Sequence, residues 1–186
     1  MPSVIIACHS GYGHTRRLAD ALRDGAASVV GTHAEVIDVA TIDARGWDCL
    51  ADADAIVFGA PTYMGGASAG FKAFADASSR VWFVQGWKDK IAGGFTCSLA
   101  MSGDKFSTLS YFVTLAMQHG MVWVGTAMMP SAIPGAPDQI NRIGSAMGVM
   151  AQADNVPADQ SPPQGDLDTA RAYGERIARM ARQRAR

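Results

Sequence analysis

Short apolar runs alternate along this chain with longer stretches of helical spacing. Val4 to Cys8 is continuous apolar sequence, as expected of a strand buried on both faces. From Thr15 onward Leu18, Ala19, Leu22 and Ala26 recur at helical intervals. The pattern predicts further strands at Ala34 to Val39, Ala55 to Gly59, Ile91 to Thr96 and Met121 to Val124. Ala60 to Gly66 reads as a glycine-rich loop, after which Ser68 caps a helix carrying Phe71, Phe74 and Ala75. Asp104 to His119 places Leu109, Phe112, Val113 and Ala116 on one face and stops at Gly120, a natural left-handed cap. A last helix opens near Asp166 and carries Ala170, Tyr173, Ile177 and Met180. Strands and helices in this order predict an α/β fold: a five-stranded parallel sheet, doubly wound, with helices on both faces.

One segment resists the pattern. Gly125 to Gly165 has little periodicity and holds Pro130, Pro134, Pro137, Pro157, Pro162 and Pro163, with a short helix expected around Gln139 to Met150. It reads as a surface excursion that packs the sheet edge or a subunit contact, or as an active-site lid. No internal repeat and no second boundary appear, so residues 1–186 are read as one domain.

With 186 residues and 48% hydrophobic content the chain can bury a substantial core, which argues against wholesale disorder. A net charge of -1 supplies no field to gather nucleic acid. Arg171, Arg176, Arg179, Arg182, Arg184 and Arg186 concentrate at the C-terminus and read as a solvated helix face that complements the helix dipole. Cys8, Cys49 and Cys97 form an odd set without a C-x-x-C pair, which points away from a disulfide framework or a metal site and toward a reducing cytoplasm. No apolar stretch approaches the roughly 20 residues that span a bilayer, and no signal-like leader is evident. A soluble, unprocessed protein is expected.

The chemistry concentrates in loops at the carboxyl ends of the strands, where open parallel sheets bind ligands. Ser10, Gly11, Tyr12, Gly13, His14 and Thr15 join the first strand to the first helix, so backbone N–H groups converge at a helix N-terminus and favour phosphate. No lysine follows in the manner of a Walker A loop, and Arg16 stands where a dinucleotide fingerprint wants its third glycine. A cysteine-phosphatase loop starting at Cys8 would need an arginine where His14 stands, so Cys8 reads as a buried strand residue. A receiver domain would want an acidic acceptor after the third strand, and Phe58, Gly59 and Ala60 offer none. A loop for one modest phosphate group remains. Opposite it, Pro61, Thr62, Tyr63, Met64 and Gly65 combine a fixed turn with apolar and stacking surface, and the pair of loops suits FMN. A third loop, Cys97 and Ser98 to Gly103, reaches the same rim with hydroxyls and amides; a simple helix-capping turn using Asp104 is its plainer reading.

Ser10, Tyr12, Gly13 and His14, then Gly59, Pro61 and Thr62, then Leu115, Ala116 and His119 to Met121 resemble the flavodoxin-like NAD(P)H:quinone oxidoreductases of the WrbA type and the related FMN reductases. The resemblance runs from Val4 to about Val124. It implies a flavodoxin-like three-layer fold with strand order 2-1-3-4-5, bound FMN, NAD(P)H as electron donor, a quinone-like acceptor and a homodimer or homotetramer. Carried over by position, Ser10 to Thr15 hold the ribityl phosphate, Thr62, Tyr63 and Met64 lie against the isoalloxazine, and Cys97 to Gly103 flank its other edge. Trp82 matches a tryptophan that walls the substrate slot, often from a neighbouring subunit. The resemblance departs at Thr62, Tyr63 and Met64, where an arginine and a phenylalanine are usual, and at Leu99, Ala100 and Met101, where a glycine-rich turn is usual. No residue is assigned as catalytic, His119 included. A non-enzymatic electron carrier, or a scaffold without turnover, is the alternative.

Overall fold

The structure is a computed structural model that describes residues 1–184. Its centre is a sheet whose parallel strands β1 (Ser3–Cys8), β2 (His33–Asp38), β3 (Ala55–Tyr63) and β5 (Ile91–Ser98) run in the order β2-β1-β3-β5. The fifth position is occupied by two pieces. β6 (Val122–Trp123) pairs with Ile91 and Ala92, and β7 (Val149–Gln152) pairs with Phe95 to Ser98, both parallel. The predicted order 2-1-3-4-5 therefore holds, with the fifth column interrupted by the chain between Val124 and Gly148.

Alternation along β1 explains the three layers. Val4, Ile6 and Cys8 face one core with helices α1 (His14–Ala27) and α6 (Gln164–Arg184), while Ile5 and Ala7 face the other. That second core holds Phe58, Trp87, and Phe71 and Phe74 from α3 (Ala69–Ala77) and Phe112 from α5 (Lys105–Gln118). Helices α1 and α6 approach with backbone nearly touching: a Cβ at Gly174 would run into the Leu22 carbonyl, and one at Gly25 into that of Arg171. Larger residues at either position would force the helices apart and open both to water.

Several expectations need correction. Residues 139–150 form no helix; they run through turns, with Gly144 at φ 79, into β7, where Val149 and Ala151 are fully buried against the sheet. Two short helices, α2 (Ala44–Asp52) and α4 (Ser79–Phe83), were not anticipated. The former starts at Asp43, whose carboxylate accepts from the Gly46 amide at 2.8 Å. The expected loop at Ala60 to Gly66 is mostly strand: β3 continues to Tyr63 and turns back into β4 (Gly66–Ala67). Met64 and Gly65, at φ 48 and 78, form the two-residue turn, the geometry that matches the twist of paired strands. Ser68 stands at the start of α3, but its hydroxyl bonds His9 Nδ1 at 2.7 Å instead of capping the helix. Asp104 likewise makes no side-chain cap, being left-handed at φ 52. Gly120, at φ 67, does end α5 as expected.

On α6 the exposed Arg171 pairs with Asp168 at 3.0 Å and Arg179 with Glu175, whereas Arg176, expected on the same solvated face, is half-buried and donates to the Gly125 carbonyl at 3.0 Å. Arg186 lies outside the described residues. All three cysteines are free, and among the described residues no helix is long and apolar enough to cross a membrane.

Candidate functional site

Register brings the chemistry-bearing loops to one rim. Cys8 stands opposite Gly59, and Pro61 opposite Cys97, so the loops after β1, β3 and β5 leave the sheet side by side.

In the first loop, Ser10 Oγ accepts from the amides of Gly13 and Arg16, each at 3.1 Å. This folds the loop over itself and leaves the amides of Gly11, Tyr12, His14 and Thr15 without a protein partner among the described residues. Gly13 is left-handed at φ 91, and a Cβ on it would sit 2.9 Å from that of Ala158. A Cβ on Gly11 would lie 2.6 Å from the Tyr63 hydroxyl, so backbone is bare where the two loops meet. The nearest cations are committed elsewhere: Arg16 pairs with Asp20 at 3.2 Å, and Arg17 donates to the Ala158 carbonyl at 2.9 Å. Neutral donors therefore dominate the loop. His14 Nε2 meets the Val156 carbonyl at 2.8 Å, and Thr15 Oγ1 meets Cys97 Sγ at 3.2 Å.

A cavity of about 440 Å³ opens between the loops. Tyr12, His14 and Thr15 line it from the first loop, Pro61 and Tyr63 from the second, Cys97, Ser98 and Leu99 from the third, and Ala153 to Pro157 from the chain after β7. Tyr12 and Tyr63 meet edge to face at 6.4 Å. Burial raises the pKa of the Tyr63 phenol and of the Cys97 and Cys8 thiols, so none of these groups is poised as an anion at neutral pH.

Other predicted site residues sit differently. Ser10 and Gly13 shape the loop and face a smaller cleft beside Arg16 and Asp38. Thr62 turns its hydroxyl inward to Thr96 and Thr108, each at 2.8 Å, in a buried threonine cluster. Met64 and Gly65 form the exposed hairpin tip and do not line the cavity. Gly103, at φ 52, leaves room for the Ser98 hydroxyl, into which a Cβ would run. Trp82 is half-exposed on α4, in a depression shared with Leu115 and His119 and away from the cavity. His119 is buried against the Trp87 ring at 4.4 Å and bonds Ser78 Oγ at 2.9 Å; burial lowers its pKa and keeps it neutral.

Two contributors escaped the sequence reading. The wall from Ala153 to Pro157 depends on β7, which the irregular stretch before it concealed. Lys105 has no exposed surface, and its Nζ donates to Ser98 Oγ and the Ala100 carbonyl at 2.7 Å and to the Met101 carbonyl at 3.0 Å. Nothing in its spacing distinguishes it from a solvated lysine at a helix start.

A family model described as NADPH-dependent FMN reductase matches residues 47–133. Flavodoxin FldP of Pseudomonas aeruginosa (strain UCBPP-PA14) is 42% identical over 185 residues, 98% of each chain. The crystal structure of the flavodoxin, WrbA-like protein from Agrobacterium tumefaciens superimposes with a TM-score of 0.76 at 42% identity, covering 98% of this chain and 99% of that one. The chain belongs to the WrbA-type flavodoxin-like family. Among its relatives in that family is an NAD(P)H dehydrogenase (quinone) of Geotalea uraniireducens (strain Rf4), 33% identical over 98% of this chain and 99% of its own. The rim lies at the carboxyl ends of the strands on either side of the switch point between β1 and β3, the place where open α/β sheets bind ligands.

Proposed function

We propose that the protein binds FMN in this rim cavity and passes two electrons from NAD(P)H to a quinone or similar flat acceptor. The observation that carries the reading is the meeting, at one rim, of a cation-free loop whose amides lack protein partners among the described residues and a largely apolar cavity walled by Tyr12, Tyr63, Pro61 and Leu99. The donor set fits a monophosphate: amides at a helix N-terminus bind a dianion without a lysine. The cavity fits a planar ring, because most of its wall surface is apolar, with His14, Thr15, Ser98, Asp154 and Asn155 as the polar groups that could orient a ligand.

Bound FMN supplies the two-electron chemistry, so the protein's tasks are to hold, orient and shield. Gly11, Tyr12, His14 and Thr15 would hold the phosphate through their amides, with Ser10 fixing the loop. Tyr12 and Tyr63 would hold the ring, and Ser98 with its neighbours would offer hydrogen bonds to a polar edge. The Ala153 to Pro157 wall would exclude water from one side. No side-chain acid or base is assigned. Trp82 lies outside the cavity of its own chain, so a role over the flavin requires a second subunit; the adjacent exposed Phe83 and Val84 favour a homo-oligomer.

The second reading is a flavodoxin-type electron carrier, favoured by the name of the Pseudomonas relative. Against it stands the net charge of -1, since carriers commonly dock through strongly acidic faces. Following NAD(P)H oxidation by the FMN-loaded protein with a benzoquinone separates the two. Steady turnover supports the enzyme, whereas bound flavin that NAD(P)H cannot reduce leaves the carrier.

A further inference from the structure

Lys105 is the first residue of α5, and it buries an ammonium directly behind the third loop. All three of its donors are used within that loop, on Ser98, Ala100 and Met101. Ser98 also lines the cavity, so a single layer of loop separates the charge from the proposed ring site. Gly103 makes this possible, because any Cβ there would displace the Ser98 hydroxyl from the ammonium.

No carboxylate pairs with Lys105 among the described residues. The nearby buried acid, Asp166, is held by Arg142 through two bonds of 2.7 and 3.0 Å, and the pair cancels its own charge. Burying an uncompensated cation is costly, and lysine usually extends its head to water. Neutral donors would hold three loop oxygens at lower cost. What only a cation adds is a field across the loop.

The geometry points to Lys105 as a positioning residue whose fixed charge stabilises the reduced form of the flavin in the cavity and thereby raises its two-electron potential. This rests on the FMN reading above. When NAD(P)H becomes NAD(P)⁺ it hands over two electrons and one proton, so the reduced ring carries one more negative charge than the oxidised ring. A positive charge one loop away therefore favours the reduced state and leaves the oxidised one nearly unaffected.

The test is a redox titration of FMN-loaded protein against a reference dye, with the dissociation constant of oxidised FMN measured in parallel. Lys105→Met should weaken reduced FMN about tenfold more than oxidised FMN, a fall of about 30 mV in the two-electron potential. Lys105→Arg, which keeps the charge, should stay near the wild-type potential. An unchanged potential in Lys105→Met, or an equal fall in Lys105→Arg, overturns the inference. Should Lys105→Met fail to fold, Lys105→Gln retains donors without charge and must show the same fall. Failure of the wild-type protein to bind FMN overturns the underlying reading and this inference together; FMN binding with equal potentials overturns this inference alone.

Discussion

His14 Nε2 lies 2.8 Å from the carbonyl oxygen of Val156, a bond that fastens the first loop to a segment more than a hundred residues away in sequence. Arg17, on the next turn, repeats the attachment at the Ala158 carbonyl. The excursion thus closes the cavity from the side opposite β3, and the first loop is held from two directions. Removing the imidazole in His14→Ala forfeits one hydrogen bond of about 1 kcal/mol. Hydrogen exchange should quicken at residues 154–158 and FMN affinity should fall several-fold; unchanged exchange there would show that the bond does not hold the wall.

Ser10 organises the loop, since its hydroxyl takes two amides that would otherwise point elsewhere. Ser10→Ala should weaken FMN by roughly tenfold, the scale of losing well-placed bonds to a charged group. Riboflavin, which lacks the phosphate, should be weakened much less. Equal loss of both ligands in paired titrations would place the phosphate somewhere else.

The buried pair Arg142 and Asp166 pins the excursion to the start of α6, with Asp166 also accepting from the Gln152 amide at 2.9 Å on β7. Breaking such a pair leaves one charge buried alone and costs about 3–5 kcal/mol. Arg142→Met should lower stability on that scale in denaturant unfolding. The double change Arg142→Met with Asp166→Leu should cost less than Arg142→Met alone, and a strictly additive loss would contradict the pairing.

Burial pulls the Lys105 amine down from 10.5 to about 8; Cys97 and Asp166 act to raise it and Arg142 to lower it. Between pH 8 and 10.5 the unfolded chain then holds more protons than the folded one, so this group makes folding more favourable as pH rises through that window. Other lysines and tyrosines titrate there too, so the informative quantity is the stability of wild type minus that of Lys105→Met. That difference should grow from pH 8 to pH 10 in denaturant unfolding. A flat difference would mean that the amine keeps its ordinary affinity for protons when folded.

The parallel strands and the long helices were legible because their signals are local: β1 is unbroken apolar sequence, and α1 repeats its apolar face from Leu18 to Ala26. The first loop was legible for the same reason, as a strand that ends in glycine and hydroxyl residues before a helix. β7 was not, because four residues with alternating burial beside Gly148 become a strand only through pairing with β5. Thr62 shows another limit. The residue is expected against the isoalloxazine, yet two threonines distant in sequence capture its hydroxyl. Lys105 shows the strongest one, since its burial depends on a loop conformation set by Gly103 and Ser98.

Titration of the flavin-free protein with FMN, followed by quenching of flavin fluorescence, tests the central claim most directly. Saturable binding of one FMN per chain, weakened by Ser10→Ala and by closing the cavity with Leu99→Trp, is the expected result. Absence of binding at saturating FMN, or binding indifferent to both substitutions, would contradict the assignment of this rim.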